Sequence, residues 1–175
     1  MDNREQKMQE ALLSYIDDTK KRDLCPVYKN RELMDEILSW LAEPFYGNVD
    51  YVAAPESIGF VLGSMLAREL GVGFIPIRNA SLSYLEDDDK IVASYIDHNN
   101  QVKSLHIRVS NFPKGGRILL VDNWIDTAAT MQTCLTIIEE GEGVLAGIAT
   151  LGAAVNDATR GMLESGQIRC IVKKV

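Results

Sequence analysis

A cluster of small and polar residues directly after an apolar strand has the composition of an anion-binding site. The apolar run 118–121 ends at Asp122 and Asn123, and the Thr-Ala-Ala-Thr sequence of residues 127–130 follows at the start of a predicted helix. Amide groups at a helix N-terminus lack intrahelical acceptors and, together with the helix dipole, favour an anion. The hydroxyls add donors, the alanines let a phosphate approach the backbone, and the carboxylate suits sugar hydroxyls or Mg²⁺. The segment therefore predicts a site for a sugar phosphate.

The elements that must position this segment alternate between strand and helix. Apolar periodicity predicts an amphipathic helix over 8–16 and a second helix that begins at Asn30. Strands are predicted at 49–54, 73–77, 90–96, 104–109, 116–122, 143–151 and 168–174, with helices at 58–70, 130–140 and 157–164. The third and fourth strands form a hairpin about the Asn-Asn turn at 99–100. Nearly unbroken apolar strands separated by helices predict an open, mainly parallel, twisted α/β sheet flanked by helices.

The composition of the whole chain narrows the class of protein. Its 175 residues are enough for one domain with its own core, and the 46% hydrophobic content is ordinary for a globular protein. A net charge of −7 argues against a nucleic-acid partner. Neither a signal region nor a run long enough to cross a bilayer is evident, so we expect a cytoplasmic protein without membrane contact. Three cysteines without close spacing predict neither a disulfide framework nor a zinc site.

Two segments resemble one known enzyme family. ILLVDNWIDTAATM, residues 118–131, resembles the phosphoribosyl-diphosphate signature of the type I phosphoribosyltransferases, in which an apolar strand leads through two acids into a Thr-Gly-Gly-Thr-like loop. VDYVAAPESIGFVLGSMLARELGVGFIPIRN, residues 49–79, resembles the adenine phosphoribosyltransferase segment in which a Gly-Pro-Glu-Ala-Arg-Gly-Phe turn opens a helix. The spacing between the segments also fits, and the resemblance covers residues 30–155. It implies the type I phosphoribosyltransferase fold, with a small N-terminal hood in residues 1–29 and an α/β core in residues 30–175.

The resemblance implies a role for each part of the site. The ribose 5-phosphate would be held by Asp122, Asn123, Asp126, Thr127, Ala128, Ala129 and Thr130. Diphosphate would bind at Ala54, Pro55, Glu56, Ser57 and Arg78. The base would lie under the hood residues Pro26, Val27 and Tyr28, and residues 79–95 would form a mobile lid. The substrates of this predicted homodimer would be phosphoribosyl diphosphate and a nucleobase, with substrate-bound Mg²⁺ facing Asp122 and no organic cofactor.

The chain departs from the family pattern at five positions. Asn123 replaces the second acid and brings no negative charge. Ile58 and Asn79 replace basic residues that would neutralise diphosphate. Ala128 and Ala129 replace the two glycines, and a positive φ at either position would cost about 1–2 kcal/mol. These departures bear on catalysis more than on the fold.

Asp126 adds a carboxyl to the loop, one that the adenine enzymes usually lack. Adenine enzymes usually have a small residue here, whereas the hypoxanthine-guanine enzymes have an Asp near the purine N7, in a loop that WIDTAAT resembles. We therefore expect a transferase acting on a purine, with Asp126 exchanging a proton with the base. The alternative function is a non-catalytic sensor of phosphoribosyl diphosphate or a nucleotide, which the departures above favour. Three structural alternatives also stay open: Asp122 as a plain strand end, Thr127 as a simple helix cap and Trp124 as core packing.

Overall fold

Seven strands form one sheet in the computed structural model, which describes residues 3–16, 24–79, 89–97 and 100–174. The strands are β1 (Tyr51–Pro55), β2 (Gly73–Asn79), β3 (Lys90–Ile96), β4 (Val102–Arg108), β5 (Arg117–Ile125), β6 (Val144–Ala154) and β7 (Ile168–Lys174). Their spatial order is β3-β4-β2-β1-β5-β6-β7. Strands β2, β1, β5, β6 and β7 run parallel, and β3 and β4 form an antiparallel hairpin at one edge. The predicted open, mainly parallel α/β sheet is confirmed.

Helices cover both faces of this sheet. They are α1 (Asn3–Ser14), α2 (Cys25–Tyr28), α3 (Arg31–Ala42), α4 (Ile58–Leu70), α5 (Ala129–Glu140) and α6 (Arg160–Glu164). Leu119 and Leu120 are neighbours on β5 and point to opposite faces, so they belong to two separate hydrophobic clusters. Helices α3 and α4 pack into the first cluster and α5 into the second. None of the helices in the described part of the chain is long and apolar enough to cross a membrane.

Short-range signals set the ends of several helices. The Asn30 side chain accepts a hydrogen bond from Leu33 N at 3.2 Å and starts α3, as predicted. Gly71 ends α4 in the left-handed conformation, with φ 69°. At Pro26 the sequence predicts only a helix break, but Pro26 lies in the first turn of α2, where a residue without an amide proton is tolerated.

The N-terminal segment is packed onto the sheet. Met8 and Leu12 of α1 and Val27 of α2 are fully buried in the cluster that also contains α3 and α4. A fully buried aliphatic side chain contributes about 1.5–3 kcal/mol relative to an exposed one. The described residues of 1–29 therefore share one hydrophobic core with the α/β part of the chain.

The predicted lid at 79–95 includes the end of one strand and most of another. Asn79 is the last residue of β2, and Lys90–Ile96 is strand β3, whose alternate side chains pack toward α5. Residues 80–88 lie outside the described residues, so the central part of the lid stays a prediction. The strand predicted at 90–96 is confirmed, with Ile91, Ala93 and Tyr95 partly buried on one face. The predicted β3–β4 hairpin is confirmed, with Asn100 at φ 58° in its turn.

Strand β5 is longer than the sequence predicts. A strand end at Asp122 is expected, but β5 continues to Ile125 and stays paired with β6 through the Trp124–Gly152 pair. Gly152 makes this close pairing possible, because any Cβ at that position would overlap the ring of Trp124. Asp122 and Asn123 therefore project from the strand itself and not from the loop after it.

Candidate functional site

A pocket of about 170 Å³ opens where β5 leads into α5. It is lined by Asp122, Trp124, Ile125, Asp126, Thr127, Ala128, Ala129, Thr130 and Met131. This lining brings together all the residues predicted to hold ribose 5-phosphate except Asn123, which is half-buried on β5 beside Asp122. The pocket lies at the carboxyl end of parallel strands, which is where open α/β sheets bind their ligands.

The loop between β5 and α5 forms a cup. Ala128 precedes α5 with φ 64° and ψ 2°, and its carbonyl accepts a hydrogen bond from Gln132 N at 2.8 Å. The amide groups that begin α5 have no intrahelical acceptor, which favours an anion at this end of the helix. Thr127 lies one position before the helix cap, and its hydroxyl accepts only a 3.4 Å hydrogen bond from Ala129 N. The cap position belongs to Ala128, so Thr127 makes this weak capping contact from one residue further out.

Asp122 is the enclosed carboxyl of the pocket. Burial raises its pKa from 3.8 to about 7, against the opposing effect of a 2.7 Å hydrogen bond from Asn123 N. One carboxyl oxygen lies beside Gly59 in the first turn of α4, where a Cβ would come within 3.3 Å of it. Asp122 thus lies between the starts of α4 and α5. A carboxyl that titrates near neutrality in this position can both donate to and accept from a sugar hydroxyl.

Of the three predicted hood residues, Tyr28 is the one linked to this carboxyl. Its hydroxyl is buried and has no hydrogen-bond partner among the described residues. Burial and then the charge of Asp122 raise the pKa of Tyr28. Val27 is fully buried in the core and Pro26 is exposed. Both have apolar side chains, so neither presents a polar group to the pocket. The hood therefore offers one unsatisfied hydroxyl near Asp122.

The turn after β1 places the predicted diphosphate residues in different environments. Ala54 and Pro55 are buried. The Ala54 methyl packs so closely on Gly63 of α4 that a Cβ added at Gly63 would lie only 2.7 Å from it. The side chain of Ala54 therefore serves packing against α4, and only its backbone is left to meet a ligand. Ser57 is exposed at the start of α4, and the Glu56–Ser57 peptide is cis.

Glu56 ties this turn to the end of β2. Its carboxylate accepts a 2.9 Å hydrogen bond from Asn79 N and lies 3.6 Å from Nε of Arg78. Its own amide donates to Ile77 O at 2.9 Å. Arg78 is thus the basic residue beside the turn, but its charge is already partly compensated by Glu56. Ile58, where the family has a basic residue, is 37% exposed.

One contact of the site has no counterpart in the sequence predictions. Asn156, in the turn after β6, donates from Nδ2 to Asp126 O at 2.7 Å. Thr159 is fully buried, donates to Ala154 O at 2.5 Å and accepts from Asn156 N at 3.0 Å. The Asn-Asp-Ala-Thr sequence of this segment is typical of a turn. No sequence pattern indicates which distant carbonyl such an asparagine will reach.

The donor set of the site suits a metal ion only if a substrate supplies most of the ligands. Within the described ranges, no group of three or more His, Cys, Asp or Glu side chains is placed to hold an ion. Mg²⁺ keeps several waters and binds proteins through one or two carboxylates plus substrate phosphates. Asp122, which lines the pocket beside the cup, fits that pattern as one carboxyl facing a substrate-bound ion.

Known proteins are similar to this chain in both sequence and fold. The family described as Phosphoribosyl transferase domain matches residues 27–165. An adenine phosphoribosyltransferase from Thermotoga sp. (strain RQ2) is 29% identical over 153 residues, covering 86% of this chain and 87% of that protein. The adenine phosphoribosyltransferase of Brachyspira hyodysenteriae is 30% identical over 132 residues, covering 74% and 75%. The crystal structure of the adenine phosphoribosyltransferase from Thermoanaerobacter pseudethanolicus aligns with a TM-score of 0.81 at 26% identity, covering 94% of this chain and 99% of that one.

An anion cup and a carboxyl at the carboxyl end of a parallel sheet are typical of α/β proteins that bind phosphorylated ligands. The chain belongs to the phosphoribosyl transferase domain family, as a type I phosphoribosyltransferase similar to the adenine phosphoribosyltransferases. The resemblance found in residues 30–155 is thereby confirmed, and the family match covers the hood residues Val27 and Tyr28 as well.

Proposed function

We propose that this protein transfers the 5-phosphoribosyl group of phosphoribosyl diphosphate to a ring nitrogen of a purine base. The products are a nucleoside monophosphate and diphosphate. The observation that carries the proposal is the cup of residues 126–130 beside the enclosed carboxyl of Asp122, in a chain of this family. The cup suits a 5-phosphate, and the carboxyl suits the ribose hydroxyls.

Positioning and electrostatics would supply most of the catalysis. The bond from the anomeric carbon to diphosphate breaks with its electron pair on diphosphate, and the base nitrogen forms the new bond to that carbon. Positive charge develops on the ribose during this step, and Asp122 in its ionised form lies where it would stabilise that charge. The start of α4 with Ser57, and Arg78 beside it, would receive the leaving diphosphate.

Adenine is the first candidate for the base, because the relatives named above are adenine phosphoribosyltransferases. Asp126 favours a second candidate, a 6-oxopurine, because WIDTAAT resembles the loop of the hypoxanthine-guanine enzymes, in which an Asp lies near the purine N7. In either case the carboxyl would exchange a proton with N7 as the glycosidic bond forms. The ring of Trp124 lines the pocket, and the unsatisfied hydroxyl of Tyr28 is close enough to Asp122 for its charge to act on it, so both would border the base. A buried hydroxyl without a partner favours binding of a base that can form a hydrogen bond with it.

We further propose that Mg²⁺ arrives with phosphoribosyl diphosphate and that Asp122 is the protein carboxylate that would face it. When bound, the ion would neutralise charge on the departing diphosphate. The chain itself supplies little positive charge there, since Ile58 and Asn79 stand where the family has basic residues and Arg78 is paired with Glu56. The reaction should therefore depend strongly on the ion.

The same observations favour a sensor as the second candidate function. A protein with Asn123 in place of an acid and a partly neutralised Arg78 would bind phosphoribosyl diphosphate without strongly stabilising the transition state. Such a protein keeps the fold and the phosphate cup, because fold alone does not specify activity.

Diphosphate release is the measurement that separates the two functions. The protein is incubated with phosphoribosyl diphosphate and Mg²⁺, and adenine, hypoxanthine, guanine, xanthine, uracil and orotate are compared. We expect saturating turnover with a purine and loss of that turnover on chelation of Mg²⁺. Absence of turnover with every base, combined with calorimetric binding of phosphoribosyl diphosphate, would establish the sensor instead.

A further inference from the structure

A single side chain connects the turn after β6 to the phosphate cup. Asn156 Nδ2 donates a 2.7 Å hydrogen bond to the carbonyl oxygen of Asp126. That carbonyl belongs to the peptide that joins Asp126 to Thr127, at the entrance to the cup. The contact spans 30 residues of sequence and joins two loops that leave neighbouring parallel strands, β5 and β6.

The turn that carries Asn156 is itself held in place. Asn156 N donates to the hydroxyl of the buried Thr159 at 3.0 Å, and Asn156 O accepts from Arg160 N at 2.9 Å. Val155 N donates to Lys174 O at 2.7 Å, which ties the turn to the last strand. The base of the asparagine side chain therefore does not move independently of the sheet.

The orientation of the asparagine amide is also determined. Its Oδ1 accepts from Ala158 N at 3.0 Å, a role that the amide nitrogen cannot take. Nδ2 must then face the Asp126 carbonyl, which needs a donor. Both ends of the Asn156 amide thus have complementary partners, so the side chain has one preferred rotamer and one preferred flip state.

The geometry of the peptide bond links this contact to the ligand. A trans peptide is planar, so its C=O and N–H point in opposite directions. Holding the Asp126 carbonyl toward Asn156 directs the Thr127 N–H to the opposite side, away from Asn156, and Thr127 is one of the residues that line the pocket. The direction of this N–H matters because the following residue, Ala128, is held at φ 64° and, unlike glycine, cannot readily adopt another conformation to compensate for a misplaced peptide.

We propose that Asn156 is a positioning residue for the 5-phosphate: it sets the plane of the 126–127 peptide and so aims the Thr127 N–H at the phosphate. The hydrogen bond also polarises that peptide, which strengthens its N–H as a donor. Asn156 does not touch the substrate in this role. The assignment rests on the proposed function for the identity of the phosphate, but the orientation of the peptide is a property of the free protein.

Two substitutions at one position separate positioning from folding. Asn156→Asp keeps an oxygen for Ala158 N but loses the donor to Asp126 O, whereas Asn156→Ala loses both contacts. Ala158→Asp is the matched control, because it adds the same negative charge to an exposed position of the same turn. Ribose 5-phosphate is the probe, measured by calorimetry, and unfolding is followed by circular dichroism.

We expect Asn156→Asp to keep a melting temperature close to that of Ala158→Asp and to weaken ribose 5-phosphate binding about tenfold, the scale of one well-made hydrogen bond. In turnover, the KM for phosphoribosyl diphosphate should rise by a similar factor with a smaller change in kcat. In the free protein, the amide resonances of Thr127 and Ala128 should shift in both Asn156 variants and not in the control.

Equal binding by Asn156→Asp and Ala158→Asp, or unshifted Thr127 and Ala128 resonances, would overturn the assignment. If the wild-type protein does not bind ribose 5-phosphate at all, the proposed function fails first. The amide resonances then still decide whether Asn156 orients the loop.

Discussion

At the scale of single residues, Ala128 has the clearest backbone strain in the site. It adopts φ 64° although its methyl group disfavours that region, and Ala129 begins the helix immediately after it. A non-glycine residue in this conformation costs about 1–2 kcal/mol. Only one of the two alanines that replace the family's glycines is strained in this way, so they are not equivalent.

Replacing each alanine by glycine should therefore have opposite effects. Ala128→Gly removes the strain and should raise the free energy of unfolding by about 1 kcal/mol, after the larger chain entropy of glycine is subtracted. Ala129→Gly, in the first turn of α5, should lower it by about 0.5–1 kcal/mol. Urea titrations of both variants test the expectation, and a destabilised Ala128→Gly would contradict it.

The carboxyl of Asp122 should make stability depend on pH. Its folded pKa of about 7 lies above the ordinary 3.8, so between these values the folded state keeps a proton that the unfolded state releases. Stability should fall as pH rises through this window, by up to about 1.4 kcal/mol per pH unit, and then level off. Asp122→Asn cannot ionise, so the melting temperature of this variant minus that of the wild type should increase as pH rises from about 4 to 7. A constant difference between the two proteins across that window would refute the cause assigned here.

Asp126 should affect chemistry more than stability. Its side chain is exposed in the pocket lining, and its backbone carbonyl keeps the contact with Asn156 whatever the side chain is. If the carboxyl exchanges a proton with the purine, Asp126→Ala should lower turnover by roughly 10²–10⁴-fold. Affinity for ribose 5-phosphate should change far less, and Asp126→Asn serves as the control of matched shape. Unchanged turnover in both variants would remove the catalytic role.

At the scale of elements, the turn between β1 and α4 is held to β2 by the side chain of Glu56. The same carboxylate that orders the turn also places a negative charge beside Arg78 and near the start of α4. A diphosphate would have to share Arg78 with Glu56. The turn thus combines a structural contact with an unfavourable charge for the predicted ligand.

Glu56→Gln should separate these two effects. The glutamine oxygen can still accept from Asn79 N, so the turn should keep its shape, while Arg78 loses its ionic partner. Affinity for diphosphate should then rise roughly two- to fivefold, the scale of one exposed ion pair. Arg78→Met is the opposing variant and should weaken binding. Isothermal calorimetry with diphosphate measures both, and weaker binding by Glu56→Gln would show that the ion pair organises Arg78 for the ligand.

At the scale of the whole molecule, the β3–β4 hairpin leaves three aliphatic side chains exposed on its outer face, although His106 on the same face is buried. Its inner face packs toward α5, whereas Val92, Ile96 and Val102 on the outer face are 41%, 64% and 72% exposed. A row of exposed aliphatic side chains on a sheet edge favours association. We expect the homodimer proposed for this family member to bury that face.

Sedimentation of two lysine variants tests this arrangement. Val102→Lys places a charge within the outer face and should shift the protein toward monomer, with the midpoint of dissociation moving at least tenfold in concentration. Val144→Lys is the matched control, because Val144 is 52% exposed at the start of β6, outside the hairpin. A monomeric wild type, or equal dissociation of both variants, would argue against the hairpin interface.

The sequence alone determined the order and type of most elements and which residues gather in the cup after β5. These features depend on local signals: apolar periodicity, the Asn30 cap, the Gly71 stop and the small residues after β5. Local signals act over a few residues of chain, so they survive without knowledge of tertiary neighbours. For the same reason the sequence misplaced the end of β5, since that end depends on pairing with β6.

Only the tertiary structure decided which groups share an environment. The enclosure of the Asp122 carboxyl, the link between Tyr28 and that carboxyl, the pairing of Glu56 with Arg78 and the reach of Asn156 to Asp126 all join distant parts of the chain. Periodicity and capping rules contain no information about such contacts, because burial and hydrogen-bond partners are set by how the strands are ordered in the sheet. The residue types of the site can be read from the sequence, whereas their pKa values, partners and orientation arise from the fold.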